Sequence, residues 1–241
     1  MILSRLALTL GVAAFVAACD DVATPTSQSA NPSASTAPVT GAFQSKAQAE
    51  RAFAQVTERV EPVAERECRA RTDGTNCDYR ILVDSDPKRP PNAFQTFDKD
   101  GRPVIAFTIS LIYEARNADE LAFVMGHEAA HHIAGHIVRQ QRNAKATALV
   151  LGGLTALGGG SQSSVDTAIE FGAAVGARAY SKEFELEADA LGTIISARAG
   201  YSPIKGAAFF SRIPDPGDRF LGTHPPNAAR IEIVRKTAST L

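Results

Sequence analysis

Apolar residues recur at helical spacing between Ser45 and about Arg71, at Ala49, Phe53, Val56, Val60 and Val63. A 3.6-residue repeat gathers these positions on one face, which predicts an amphipathic helix, bent where Pro62 removes a backbone donor. The period then shortens. Tyr79 to Val83 is a short β-prone run, and two further runs in "NAFQTFDKDGRPVIAFTISLI" flank Asp98-Lys99-Asp100-Gly101, a hairpin signal. Asn117 with Glu120 three residues on has the form of a capping box, and the helix behind it is expected to run unbroken from Asp119 past Arg142. Thr147 to Ala179 is small and apolar, with glycine breaks at Gly152-Gly153 and Gly158-Gly159-Gly160. Its apolar run of about a dozen residues is short for a membrane span. The segment reads as buried or hairpin-forming, with a membrane-dipping loop as the alternative. Further helices are expected from Ser181 to Ala199, stopped by Gly200 and Pro203, and from about Asn227 to Lys236. The pattern as a whole is α+β and mostly α: a helical domain, residues 45–241, with a small β-hairpin or sheet.

The first residues carry a different pattern. Arg5 precedes an apolar run from Leu6 to Val16 and then small residues, the layout of a secretory signal peptide over residues 1–18. Val16-Ala17-Ala18-Cys19 resembles a bacterial lipobox, which makes Cys19 a lipidation site and predicts a periplasmic protein anchored to a membrane. Asp20 behind it resembles an inner-membrane retention signal, so which membrane stays open, with a lean to the inner. Residues 19–44 are rich in Ala, Ser, Thr and Pro and read as a disordered tether. With Cys19 taken by lipid, Cys68 and Cys77 remain as an even pair in an oxidising compartment, and they bracket a turn-rich loop. A disulfide between them is expected. A cysteine metal site is not, because the spacing matches no common zinc pattern.

Composition mainly excludes. Of 241 residues, 44% are apolar and 21% charged, enough for an ordinary core. The net charge of −1 and the absence of tryptophan leave nucleic acid neither a basic surface nor a stacking platform.

The candidate chemistry lies inside the capped helix. Residues 127–131 read His-Glu-Ala-Ala-His. At i and i+4 both imidazoles share one helix face and reach one ion, and zinc accepts histidine nitrogen at about 2.0–2.1 Å. Glu128 sits beside that face, where its carboxylate can take the proton of an attacking water. His132 and His136 are expected to point off the metal face, as packing or surface residues. Five residues of continuous helix turn His136 about 140° away from His131. A third ligand must come from another segment, and "SKEFELEADALG" offers carboxylates. Glu185 and Asp189 are four apart and share a face, so one can bind the metal while the other orients a histidine. Glu183 and Glu187 compete for the ligand role.

These motifs together resemble the zinc metallopeptidases that include the CAAX prenyl protease and the bacterial heat-shock protease HtpX, of gluzincin type. The ligand helix of that family is similar to "GHEAAHHIAGH", Gly126 to His136. Its Ser-Arg-x-x-Glu-x-x-Ala-Asp segment is similar to Ser181–Asp189, with Lys182 in place of Arg. Its Thr-His-Pro-x-x-x-x-Arg-Ile tail is similar to Thr223–Ile231, and Asn92–Phe94 also looks familial. The resemblance covers about residues 45–241. It implies one Zn²⁺ per chain, Glu185 as ligand, and Asp189 as the orienting carboxylate. It also implies that His224 approaches the metal, either to stabilise the oxyanion or as a latent fourth ligand. Arg230 would support this corner by charge or by fixing the loop, with a surface salt bridge as the plainer reading. Lacking HtpX's long spans, the chain looks more like the soluble periplasmic branch, which implies cleavage of unfolded or misassembled envelope proteins. A non-cleaving, zinc-bound chaperone or scaffold is the alternative, and the ligands alone leave non-peptide hydrolysis open.

Overall fold

The computed structural model describes residues 41–178, 181–214 and 225–241. The expected signal peptide, Cys19 and His224 fall outside the described residues.

Helix α1 (Lys46–Arg71) starts where the Ser45 hydroxyl accepts from the Gln48 N–H at 3.2 Å. It buries the face the spacing predicts, Ala49, Phe53, Val56, Val60 and Val63, and carries Pro62 within its length. Its last turn is tied to the following loop by a disulfide between Cys68 and Cys77, whose Cα atoms lie 5.7 Å apart.

Three strands follow: β1 (Arg80–Asp84), β2 (Ala93–Phe97) and β3 (Pro103–Thr108). β2 and β3 form the expected antiparallel hairpin. Its turn closes with Gly101 N–H on Asp98 O at 3.1 Å, and Gly101 adopts φ 78°, which favours glycine. β1 adds to the far side of β3 in parallel, so the order is β1-β3-β2 and β2 is an edge. β3 is buried throughout.

Helix α2 (Ile109–Glu114) leads to α3 (Ala118–Ile133), which is capped by Asn117 Oδ1 accepting from Glu120 N–H at 3.0 Å. The Glu120 carboxylate departs from a reciprocal box. It accepts from Arg116 N–H at 2.9 Å and from the Arg212 guanidinium at 2.6 and 2.7 Å. α3 is the central element. It packs Leu121, Ala122, Met125 and Ala129 into the core with α1, with Ile105 and Phe107 of β3, and with Ile195. Tyr79 donates to Ala129 O at 3.2 Å, and His132 bonds Asn76 O at 2.8 Å, so the disulfide loop is pinned against α3.

The expected unbroken helix is corrected here. α3 ends at Ile133, Gly135 takes a left-handed φ of 65°, and α4 (His136–Leu157) starts on a new axis. A left-handed residue satisfies the last carbonyls of one helix and redirects the chain. Gly152-Gly153, expected as a break, lies within α4, and the turn falls at Gly158–Gly160 before α5 (Gln162–Arg178). α6 (Ser181–Arg198), α7 (Pro203–Gly206), a 3₁₀ turn (Ala207–Ser211) and α8 (Asn227–Ala238) complete the chain. Phe123, Ala207, Phe210 and Val234 form a second cluster that fixes the 3₁₀ turn and α8 to α3. Among the described residues no helix is long and apolar enough to cross a membrane.

Candidate metal centre

Two glycines set the site. A Cβ on Gly126 of α3 would meet Gly192 O at 2.9 Å, and one on Gly192 of α6 would meet His127 N at 2.8 Å. The two helices therefore cross backbone to backbone beside His127. Any side chain at either position would push them apart. This crossing carries the carboxylates of α6 to the histidines of α3.

The Nε2 atoms of His127 and His131 are 3.0 Å apart. Glu185 places Oε2 at 3.5 Å from His127 Nε2 and Oε1 at 3.4 Å from His131 Nε2. A tetrahedral ion with bonds of about 2.0–2.1 Å needs donors about 3.3 Å apart, so nitrogen, nitrogen and carboxylate oxygen fit zinc in kind and in spacing. Among the described residues these three form the cluster able to hold a metal. Glu128 is half-buried beside them and lines the same cleft. Glu187, the sequence competitor, is turned away, and Glu183 is exposed.

The outer nitrogens of both histidines are held. Asp189, fully buried, meets His127 Nδ1 at 2.9 Å. Arg230 in turn bonds both Asp189 oxygens, Nε at 2.7 Å and Nη2 at 2.7 Å, and its guanidinium lies over the Phe210 ring at 3.8 Å. Burial alone would raise the Asp189 pKa, but the bonds from Arg230 and His127 outweigh it and hold the carboxyl below its ordinary value. Burial likewise opposes charge on His127, yet Asp189 and Glu185 push its pKa up to about 10. The plain reading of Arg230 as a surface pair is thereby corrected, since the side chain is buried in this network.

His136 is where the sequence reading fails. Because Gly135 breaks the helix, His136 does not turn away; its Nδ1 lies 2.8 Å from His131 Nδ1. Its Nε2 reaches Glu187 Oε2 at 3.1 Å, which also accepts from Arg139 at 2.7 Å, and its ring stacks on Phe184 at 4.6 Å. Burial, only partly offset by Glu187, lowers the His136 pKa to about 4, so the ring is neutral. If His131 Nε2 were to hold a metal, His131 Nδ1–H would donate to His136 Nδ1, and His136 Nε2–H to Glu187. The signal that could have exposed this was Gly135 directly before His136. His136→Ala should weaken zinc binding by roughly 10–100-fold in a chelator competition, and His136→Asn, which keeps an acceptor, should recover part of it. Unchanged zinc affinity in His136→Ala would remove this role.

A cleft of about 610 Å³ opens over the centre. One wall is Pro91–Gln95 of the β2 edge, and Phe123, Phe209, Phe210 and Ile213 form an apolar floor. A family model described as Peptidase family M48 matches residues 50–238. The chain belongs to peptidase family M48. M48 peptidases are zinc-dependent, in accord with the donor set. A curated relative, the mitochondrial metalloendopeptidase OMA1 of Saccharomyces cerevisiae, is 29% identical over 171 residues, covering 66% of this chain and 46% of the relative. The chain thus spans about half the length of the curated relative it matches.

Proposed function

We propose that the chain is a zinc endopeptidase that cleaves extended segments of unfolded or misassembled envelope proteins. The observation that carries this reading is the set of His127, His131 and Glu185 donors at 3.0–3.5 Å with Glu128 beside them in an open cleft. Zinc held by those three supplies Lewis acidity toward the scissile carbonyl and lowers the pKa of a water to about 7. Glu128 accepts the proton as the water oxygen adds to the carbonyl carbon, and delivers it to the leaving amine as the C–N bond breaks. Asp189 and His136 keep the two imidazoles aimed. The edge of β2, unpaired among the described residues, offers backbone groups that could pair with an extended peptide, and the apolar floor suits side chains exposed only in unfolded chains. His224 would serve as oxyanion donor or latent fourth ligand.

The ligand set is tested by zinc content. Glu185→Ala should lose the metal on dialysis, since two donors leave the ion open to exchange, while Glu187→Ala keeps it. Zinc retained by Glu185→Ala and lost by Glu187→Ala would move the third ligand to Glu187.

Location rests on the N-terminal pattern, and we read the mature protein as a periplasmic lipoprotein held through Cys19. Cys19→Ser should release it from the membrane fraction or stall its processing. Undiminished, fully processed membrane recovery of that variant would rule out the lipid anchor.

A further inference from the structure

Helices α4 and α5 form an antiparallel hairpin whose packing is inverted for a pair in water. The seam is made mainly of small residues, with Ile169 packed onto Gly152. A Cβ on Gly152 would meet Ile169 Cγ1 at 2.5 Å, one on Gly172 would meet Thr147 O at 2.7 Å, and one on Gly176 would strike Asn143 O. Large apolar residues face outward instead: Leu149, Val150, Leu154, Leu157 and Phe171 are all more than half exposed, Leu157 at 88%. Helix pairs in water bury their large apolar side chains. Pairs in lipid bring small residues together and turn large ones to the acyl chains.

Charge follows the same logic. Residues 146–165 contain no charged side chain. The seam contacts fix the rotation of both helices, and at about 100° per residue the remaining positions can be assigned to flanks. Val150, Leu154 and Leu157, spaced i, i+4 and i+7, fall on one flank of α4, and Phe171 of α5 falls on that same flank. Asp166 and Glu170, four apart, fall on the opposite flank with Arg142, Lys145 and a single large apolar residue of the exposed set, Leu149. At the tip the Ser161 and Ser164 hydroxyls bond each other at 2.9 Å, and Gln162 bonds Asp166 at 2.8 Å. The hairpin carries most of its large exposed apolar residues along one side and its charges mainly along the other, and neither helix is long and apolar enough to cross a bilayer. That is the form of an element lying in a membrane interface.

We propose that the α4–α5 hairpin lies along the bilayer surface with Val150, Leu154, Leu157 and Phe171 among the acyl chains. Lipid is the occupant the chain keeps close. On the proposed anchor at Cys19, 21 residues separate the lipid from the first described residue, so the bilayer surface lies within reach of the domain. The hairpin also orients the enzyme. His136, Ile137 and Gln140 at the root of α4 line the cleft, so a docked hairpin presents the cleft to polypeptide segments near the membrane surface.

The chain has no tryptophan, so a single introduced indole reports depth without background. The test uses full-length protein with vesicles of phosphatidylethanolamine and phosphatidylglycerol. Leu157→Trp should shift its emission to the blue and be quenched by brominated acyl chains, whereas Asp166→Trp should keep a water-exposed emission. Adding Val150→Glu and Leu154→Glu to Leu157→Trp should raise the vesicle concentration at half-saturation roughly tenfold for each side chain lost. Cleavage of a soluble peptide should be unchanged in all of these, which checks the fold. No shift for Leu157→Trp, or equal quenching of Asp166→Trp, would overturn the proposal. A blue-shifted emission without vesicles that disappears on dilution would assign the face to a second copy. Failure of the anchor reads out separately. Membrane recovery and processing of Cys19→Ser protein would then match those of the unsubstituted protein, while the Leu157→Trp signal in excess vesicles would persist.

Discussion

Glu128→Gln is expected to keep its fold and its zinc and to lose peptide cleavage by roughly 10³-fold or more. The argument is one of geometry and chemistry together. Glu128 follows His127 on α3, so it sits beside the metal donors without being one of them. It lines the open cleft, where a water and a scissile carbonyl must meet. Glutamine has the same shape but cannot accept a proton, so binding should survive and proton transfer should not. Zinc content by elemental analysis, thermal unfolding and cleavage of an unfolded casein-type substrate would be measured on the same preparation. Substantial residual turnover would point to another base. Wild-type protein that binds unfolded chains and cuts none would favour the chaperone reading instead.

The parts of this site that were legible in the sequence are the ones carried by local spacing. His127 and His131 at i, i+4 converge because both lie within one intact helix. Glu185 and Asp189 share a face of α6 for the same reason, and one reaches the metal donors while the other reaches His127 Nδ1. The hydrophobic face of α1 and the Asp98–Gly101 turn were readable likewise, since each is set by its own residues. His136 was misread because the 140° argument assumes continuous helix. One left-handed glycine changes the axis, and the side chain returns to His131. The parallel pairing of β1 with β3 left no local trace, because the partners Arg80 and Val104 are far apart in sequence. The small, apolar segment from Thr147 to Ala179 gave up its helices and its turn only in part. The wrong step was to treat every glycine pair as a break, when Gly152 serves a close helix contact.

Arg230→Ala is expected to cost about 3–5 kcal/mol of stability and to weaken zinc binding by roughly 10–100-fold. The guanidinium bonds both oxygens of Asp189, which is fully buried, and stands 3.5 Å from Glu185. Removing it leaves a buried carboxylate with His127 as its remaining partner, and the lost stacking on Phe210 adds to the damage. Arg230→Lys should recover little, because a single ammonium cannot match the planar two-point contact. For a chain of this size the melting temperature should fall by about 10 °C. A paired variant separates the two effects. Arg230→Met with Asp189→Leu removes both buried charges, so stability should largely return. His127 Nδ1 would still lack its acceptor, and zinc binding should stay weak. If Arg230→Ala melts like wild type and holds zinc as tightly, the Asp189–Arg230 pair does not position His127. If the paired variant recovers zinc affinity along with stability, its role is confined to the fold.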